Sequence, residues 1–110
     1  MDIRERQLFA RQAHLCQVLT DPSRLALIHL IGAGERTVGE LVAATGLRQD
    51  KVSQHLAILR QRGVVITRRD GTAIHYTLAH PAILEACAIM RGLLMRQLEA
   101  ASELIERATR

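Results

Sequence analysis

The sequence predicts a mostly α-helical domain carrying one β-hairpin, and three observations predict it. Apolar residues make up 48% of the 110 positions but aromatics only 2%, so the core is Leu, Ile, Val and Ala. Along most of the chain these residues recur at spacings of three, four and seven, the period of an amphipathic helix. The stretch from Val64 to Leu78 instead alternates, is rich in β-branched residues, and is split by Asp70-Gly71, a two-residue hairpin signal. The expected order is four helices, two strands and a last helix, in a single domain over residues 1–110.

The first helix is expected over residues 3–19, with Leu8, Leu15 and Leu19 on one face and Phe9, Ala13 and Cys16 beside it. Thr20-Asp21-Pro22 breaks it. Asp21 is a good N-cap and Pro is favoured at the first helical position, so a second helix starts at Pro22. It runs to about Ala33 and ends at Gly32 and Gly34. His29, inside its apolar run, is expected to be a core histidine.

Thr37 and Glu40 form a Thr-x-x-Glu capping box that opens a third helix, and Gly46 stops it. A fourth helix from about Gln49 to Gln61 turns Val52, Leu56 and Leu59 inward, and Gly63 closes it. Strands over Val64–Arg69 and Ala73–Leu78 follow. Pro81 begins a long last helix, with His80 near its N-cap. Its seam of Ile83, Cys87, Met90, Leu94, Leu98, Ala101 and Ile105 persists for about three heptads, too long for one small domain to bury. A second copy of the chain in a two-fold dimer is the simplest cover.

Two helices joined by a Gly-containing turn form a helix-turn-helix, and the hairpin after them stands where a wing would. Binding duplex DNA is the commonest use of that layout. The exposed start of the fourth helix carries Arg48, Gln49, Lys51, Ser53, Gln54 and His55. Arg48 suits guanine, and Gln49 or Gln54 suits adenine. Lys51 and Ser53 suit phosphate. His55 lies beside core Leu56, so packing, phosphate and base contacts are all open to it. Arg60 at the helix end and Arg68, Arg69 and Thr72 in the hairpin could hold the DNA backbone or enter a minor groove. A solvated helix face and ordinary surface charge are the plainer readings of the same residues.

The net charge of +4 rests on fourteen Arg and one Lys. Arg gives bidentate contacts that Lys cannot copy, although codon usage in a GC-rich genome would produce the same ratio. The paucity of aromatics argues against single-stranded nucleic acid, whose binders stack bases on aromatic rings. The charged start Met-Asp-Ile-Arg-Glu-Arg lacks a signal-peptide h-region, and no apolar run reaches membrane-spanning length, so a cytoplasmic location is expected. No phosphate loop, nucleophile elbow or recognisable carboxylate pair points to an enzyme.

Four segments together carry a family resemblance: Leu19-Thr-Asp-Pro-Ser-Arg-Leu-Ala-Leu-Ile, Thr37-Val-Gly-Glu-Leu, Val52-Ser-Gln-His-Leu-Ala-Ile-Leu-Arg-Gln-Arg-Gly and the hairpin from Arg68 to Tyr76. In order and spacing, over roughly residues 15–80, they resemble the ArsR/SmtB family of bacterial winged-helix repressors. The resemblance implies a homodimer paired through the first and last helices, with wings outward. It also implies repression of a promoter through a palindromic operator, often relieved by a metal ion or thiol-reactive signal. One departure stands out. The family usually has a helix-capping Ser where this chain has Arg48. Arg cannot accept from the free backbone N–H groups, so the cap is lost or passes to another residue.

The family's familiar sensing residues are not at their positions. Val42 and Ala44 stand where arsenite and lead sensors carry Cys-x-Cys. His80, Ala82, Leu93 and Arg96 stand where zinc sensors carry their ligands, and His29 and Met95 where persulfide sensors carry cysteines. Cys16 and Cys87 remain as candidates for a soft metal ion or for thiol oxidation, or as small core residues. A winged-helix protein-interaction module without specific DNA binding, and a constitutive regulator without a ligand, are the alternatives.

Overall fold

A computed structural model describes residues 1–110. The elements are α1 (Ile3–Cys16), a 3-10 turn (Gln17–Thr20), α2 (Pro22–Ala33), β1 (Arg36–Thr37), α3 (Val38–Thr45), α4 (Gln49–Gln61), β2 (Val65–Asp70), β3 (Ala73–Leu78) and α5 (Pro81–Ala108). All five expected helices form. The first is shorter than its periodicity suggested, because the chain tightens into the 3-10 turn at Gln17. The strand β1 was not expected from sequence. Its two residues pair antiparallel with β3, Arg36 with Tyr76 and Thr37 with His75, giving the sheet order β1-β3-β2. Two residues are too few to show a period.

The caps form where the sequence placed them. Asp21 accepts from the Ser23 and Arg24 N–H groups, and Thr37 and Glu40 form both arms of the capping box. Gly46 takes the left-handed backbone, φ 71°, that ends α3 and turns the chain into α4. The hairpin turn sits one residue later than expected, at Gly71-Thr72, with Asp70 paired to Ala73. A turn with Gly first needs positive φ only at Gly71 (61°), whereas an Asp-Gly turn would force it on Asp70 as well.

One core of Val18, Leu27, Ile28, Ile31, Leu41, Val52, Leu56, Leu59, Val64 and Val65 joins α2, α3, α4 and the start of β2. It fixes α4 on the body of the protein. Gly32 lies inside α2 and does not end it. A Cβ at Gly32 would stand 2.7 Å from Leu84 Cδ1, so the glycine lets α5 seat closely on α2. His29 is exposed, contrary to expectation, with Arg91 of α5 3.4 Å from its Nδ1. It sits on the solvent side of α2, away from the buried Leu27, Ile28 and Ile31.

No residue of α1 or α5 is buried. The seam of α5 divides: Ile83 and Cys87 pack against the core, while Met90, Leu94, Leu98 and Ile105 are exposed, Leu98 at 55%. Leu8, Phe9 and Leu15 of α1 are exposed as well. The radius of gyration is 17.6 Å, against about 13 Å for a compact domain of this length. The two terminal helices reach out from the core with apolar faces that one protomer does not cover.

Candidate nucleic-acid interface

The core residues Val52, Leu56 and Leu59 hold one side of α4 against the protein, which turns the opposite side outward. Arg48, Gln49, Lys51, Ser53, Gln54 and Arg60 are all exposed there. Ala57 lies among them and leaves the middle of the helix free of bulk. The positive end of the helix dipole is at Arg48 and favours an approaching phosphate.

Arg48 occupies the N-cap with extended backbone, φ −64° and ψ 146°, and its side chain makes no capping bond. Its Nη2 instead donates to Asp50 Oδ2 at 3.0 Å. Residues two apart inside a helix do not face each other, but Arg48 lies outside the helical backbone and so reaches round to the first turn. Asp50 thereby places a carboxylate near the uncapped N–H groups and restrains Arg48. Sequence reasoning passed over Asp50, because acidic residues are not expected on a DNA-facing surface.

His55 does not belong to the outward row. Its side chain is only 18% exposed, with Nε2 3.9 Å from Asp21 Oδ1 and Nδ1 3.5 Å from Arg24 Nη1. Arg24 also donates from Nε to the Val18 carbonyl at 2.6 Å. This cluster joins the 3-10 turn, the start of α2 and the middle of α4. The Arg24 backbone N–H, above all, holds the Asp21 carboxyl below its ordinary value, and His55 adds to the effect. Arg62, just past α4, donates to the His14 carbonyl at 2.8 Å and ties α4 to the end of α1.

The wing basic residues divide in the same way. Arg68 folds back onto Glu35, bonding both carboxylate oxygens, and His75 Nδ1 lies 3.2 Å from the same carboxylate. The Arg68 hydrogen bond draws the Glu35 carboxyl below its usual range, and Glu35 raises the Arg68 guanidinium in turn. Arg68 thus meets DNA, if at all, from within an ion pair, with its side chain still 57% exposed. The 33-residue separation of this pair gave no local signal in the sequence. Arg69 and Thr72 stay exposed at the hairpin end, and Lys51, Arg60 and Arg69 make no ion pair in the protomer.

Cys16 is exposed at the last residue of α1, and Cys87 is half-buried against the core. Cys87 leans partly on the core of its own protomer, while Cys16 lies open on α1. No three His, Cys, Asp or Glu side chains converge to hold a metal ion. No helix is long and apolar enough to cross a membrane.

The model of the arsR family of bacterial regulatory proteins matches residues 21–67, which run from the start of α2 into β2. Rv0081 of Mycobacterium tuberculosis, described as an uncharacterized HTH-type transcriptional regulator, is 39% identical over 92 residues, covering 83% of this chain and 81% of that protein. Its crystal structure superposes with a TM-score of 0.77, over 84% of this chain and 94% of that one. A biofilm growth-associated repressor of Agrobacterium fabrum is 45% identical over 67 residues, 61% of this chain and 57% of that protein. The homodimeric winged helix-turn-helix DNA-binding domain Mb0332 of Mycobacterium bovis gives a TM-score of 0.81 at 28% identity, over 91% and 93% of the two chains. With the helix-turn-helix, the wing and these relatives in agreement, the chain belongs to the arsR family of bacterial regulatory proteins, and is a winged-helix transcriptional regulator, not an enzyme.

Proposed function

We propose that the chain represses transcription from the cytoplasm by binding a palindromic operator as a two-fold homodimer. Residues 1–110 act as one domain. The bare apolar faces of α1 and α5 supply the dimer contact, and the two copies of α4 enter successive major grooves about 34 Å apart. The observation that carries this reading is the outward row on α4. Arg48, Gln49 and Gln54 are at hand for base edges, Lys51, Ser53 and Arg60 for phosphate. Arg69 and Thr72 at the hairpin end reach the flanking backbone. His55 supports the helix from behind, and Arg68, paired with Glu35, lies on β2 of the wing.

With six to ten phosphates contacted per dimer, affinity should fall roughly 10³- to 10⁵-fold between 50 and 200 mM salt. The test is retardation of the protein's own promoter against random duplex at about 150 mM salt. Equal affinity for both defeats the reading and leaves a protein-interaction module. The thiols at which a soft ion or an oxidant would act are Cys16 and Cys87. Following operator binding during titration with Cu(I), As(III), Zn(II) and an oxidant tests this. A Cys16→Ser/Cys87→Ser variant that responds like wild type would leave both thiols as packing residues.

A further inference from the structure

We propose that Asp50 is a specificity-determining residue: it holds the Arg48 guanidinium in place to read one guanine in each operator half-site. This rests on the reading that α4 enters the major groove. The structure supplies the geometry. Arg48 stands at the mouth of α4 with its side chain 79% exposed, and Asp50 accepts one of its five N–H bonds. The other donors stay in the rigid fork that matches guanine O6 and N7.

A long Arg side chain in solvent samples many rotamers, and ordering it opposes binding. Asp50 performs that ordering before DNA arrives. A carboxylate on this surface also repels phosphate, so alone it weakens binding to every sequence alike. Its effect is therefore opposite for the two kinds of DNA: it favours a site with guanine at the right place and disfavours the rest. Arg48 stands where the family usually has a capping Ser, and the side chain that replaces the cap is the one Asp50 holds.

The experiment measures binding of the full-length dimer to its own promoter, to single-base variants of each half-site, and to random duplex. Wild type, Arg48→Ala, Asp50→Ala and Asp50→Asn are compared, with thermal midpoints recorded. Arg48→Ala should flatten one position per half-site, where wild type prefers guanine roughly 5- to 150-fold. Asp50→Ala should cut the preference at that same position about two- to fivefold while affinity for random duplex rises. Asp50→Asn, which keeps an acceptor oxygen, should retain more of the preference than Asp50→Ala. If Asp50→Ala lowers only the thermal midpoint, or strengthens binding to all sequences equally, Asp50 is a helix-end or repulsive charge and the inference is wrong. Wild type with no promoter preference overturns the reading of α4 and the inference together. A wild-type preference that Asp50→Ala leaves intact at every position overturns the inference alone.

Discussion

Glu35, in the loop after α2, holds the guanidinium of Arg68 in the wing, across 33 residues of sequence. His75, the β3 partner of Arg68, faces the same carboxylate. The wing is thus fastened to the body by a charge pair that uses one of its own basic residues. Replacing Glu35 by Gln removes the charge and releases Arg68. Glu35→Gln should bind duplex DNA more tightly and with a steeper dependence on salt. One added phosphate contact per protomer would steepen the log–log slope by about 1.8 per dimer. Fluorescence anisotropy at several salt concentrations checks this, and an unchanged slope would mean that Arg68 stays away from DNA even when released.

The same carboxylate makes a pH prediction. Arg68 draws the Glu35 carboxyl below its ordinary value, so near pH 4 the folded chain binds fewer protons there than the unfolded chain. The stabilisation is complete above the unfolded value of about 4.3 and is lost as pH falls through the lower folded value. Asp21, held down by the Arg24 N–H, and Glu40, held down by the Thr37 N–H, act in the same direction. Thermal midpoints of wild type should therefore drop on acidification below about pH 4.5. The gap between wild type and Glu35→Gln should narrow over the same range.

Arg48 leaves α4 without a side-chain cap. Arg48→Ser restores an acceptor for the free N–H groups and should stabilise the protein by about 1 kcal/mol in denaturant unfolding. The same substitution removes the proposed guanine contact, so promoter preference should fall as stability rises. Stability that falls together with preference would show that Arg48 does more for the fold than its exposed position implies.

The exposed half of α5 is the place to break the dimer without harming the core. Leu94 is 50% and Leu98 55% exposed in the protomer. Leu94→Glu or Leu98→Glu should give a folded monomer in sedimentation, with far-UV dichroism still helical. Two linked α4 helices gain about 10²- to 10⁴-fold from acting together, and operator affinity should fall by that order. A variant that remains dimeric would place the interface elsewhere.

The main elements were legible because each has a local cause. The Asp21 cap with Pro22, the Thr37–Glu40 box, Gly46 and the alternation from Val64 each depend on neighbours a few residues apart. The features that escaped depend on distant partners. β1 exists because Arg36 and Thr37 lie beside Tyr76 and His75, and Arg68 is taken by Glu35. The site was legible as an outward row on α4, since Val52, Leu56 and Leu59 fix its inward side. His55 fell out of that row because its partners, Asp21 and Arg24, belong to another helix. Gly32 likewise seemed a helix terminator until Leu84 gave it a packing role.

That glycine also governs a distance. Leu84 seats on α2 where Gly32 has no side chain, and α2 shares its core with α4. From Leu84 the helix runs on to Ala108, roughly 36 Å at 1.5 Å per residue. In a two-fold pair joined along α5, a tilt about this contact occurs twice, once in each protomer. The span between the two α4 helices then changes, while every residue facing the bases keeps its place on its own helix. In such a pair the seat of Leu84 on Gly32 would bear on the span between the two α4 helices, although Gly32 lies on α2 and not on the row that faces outward from α4.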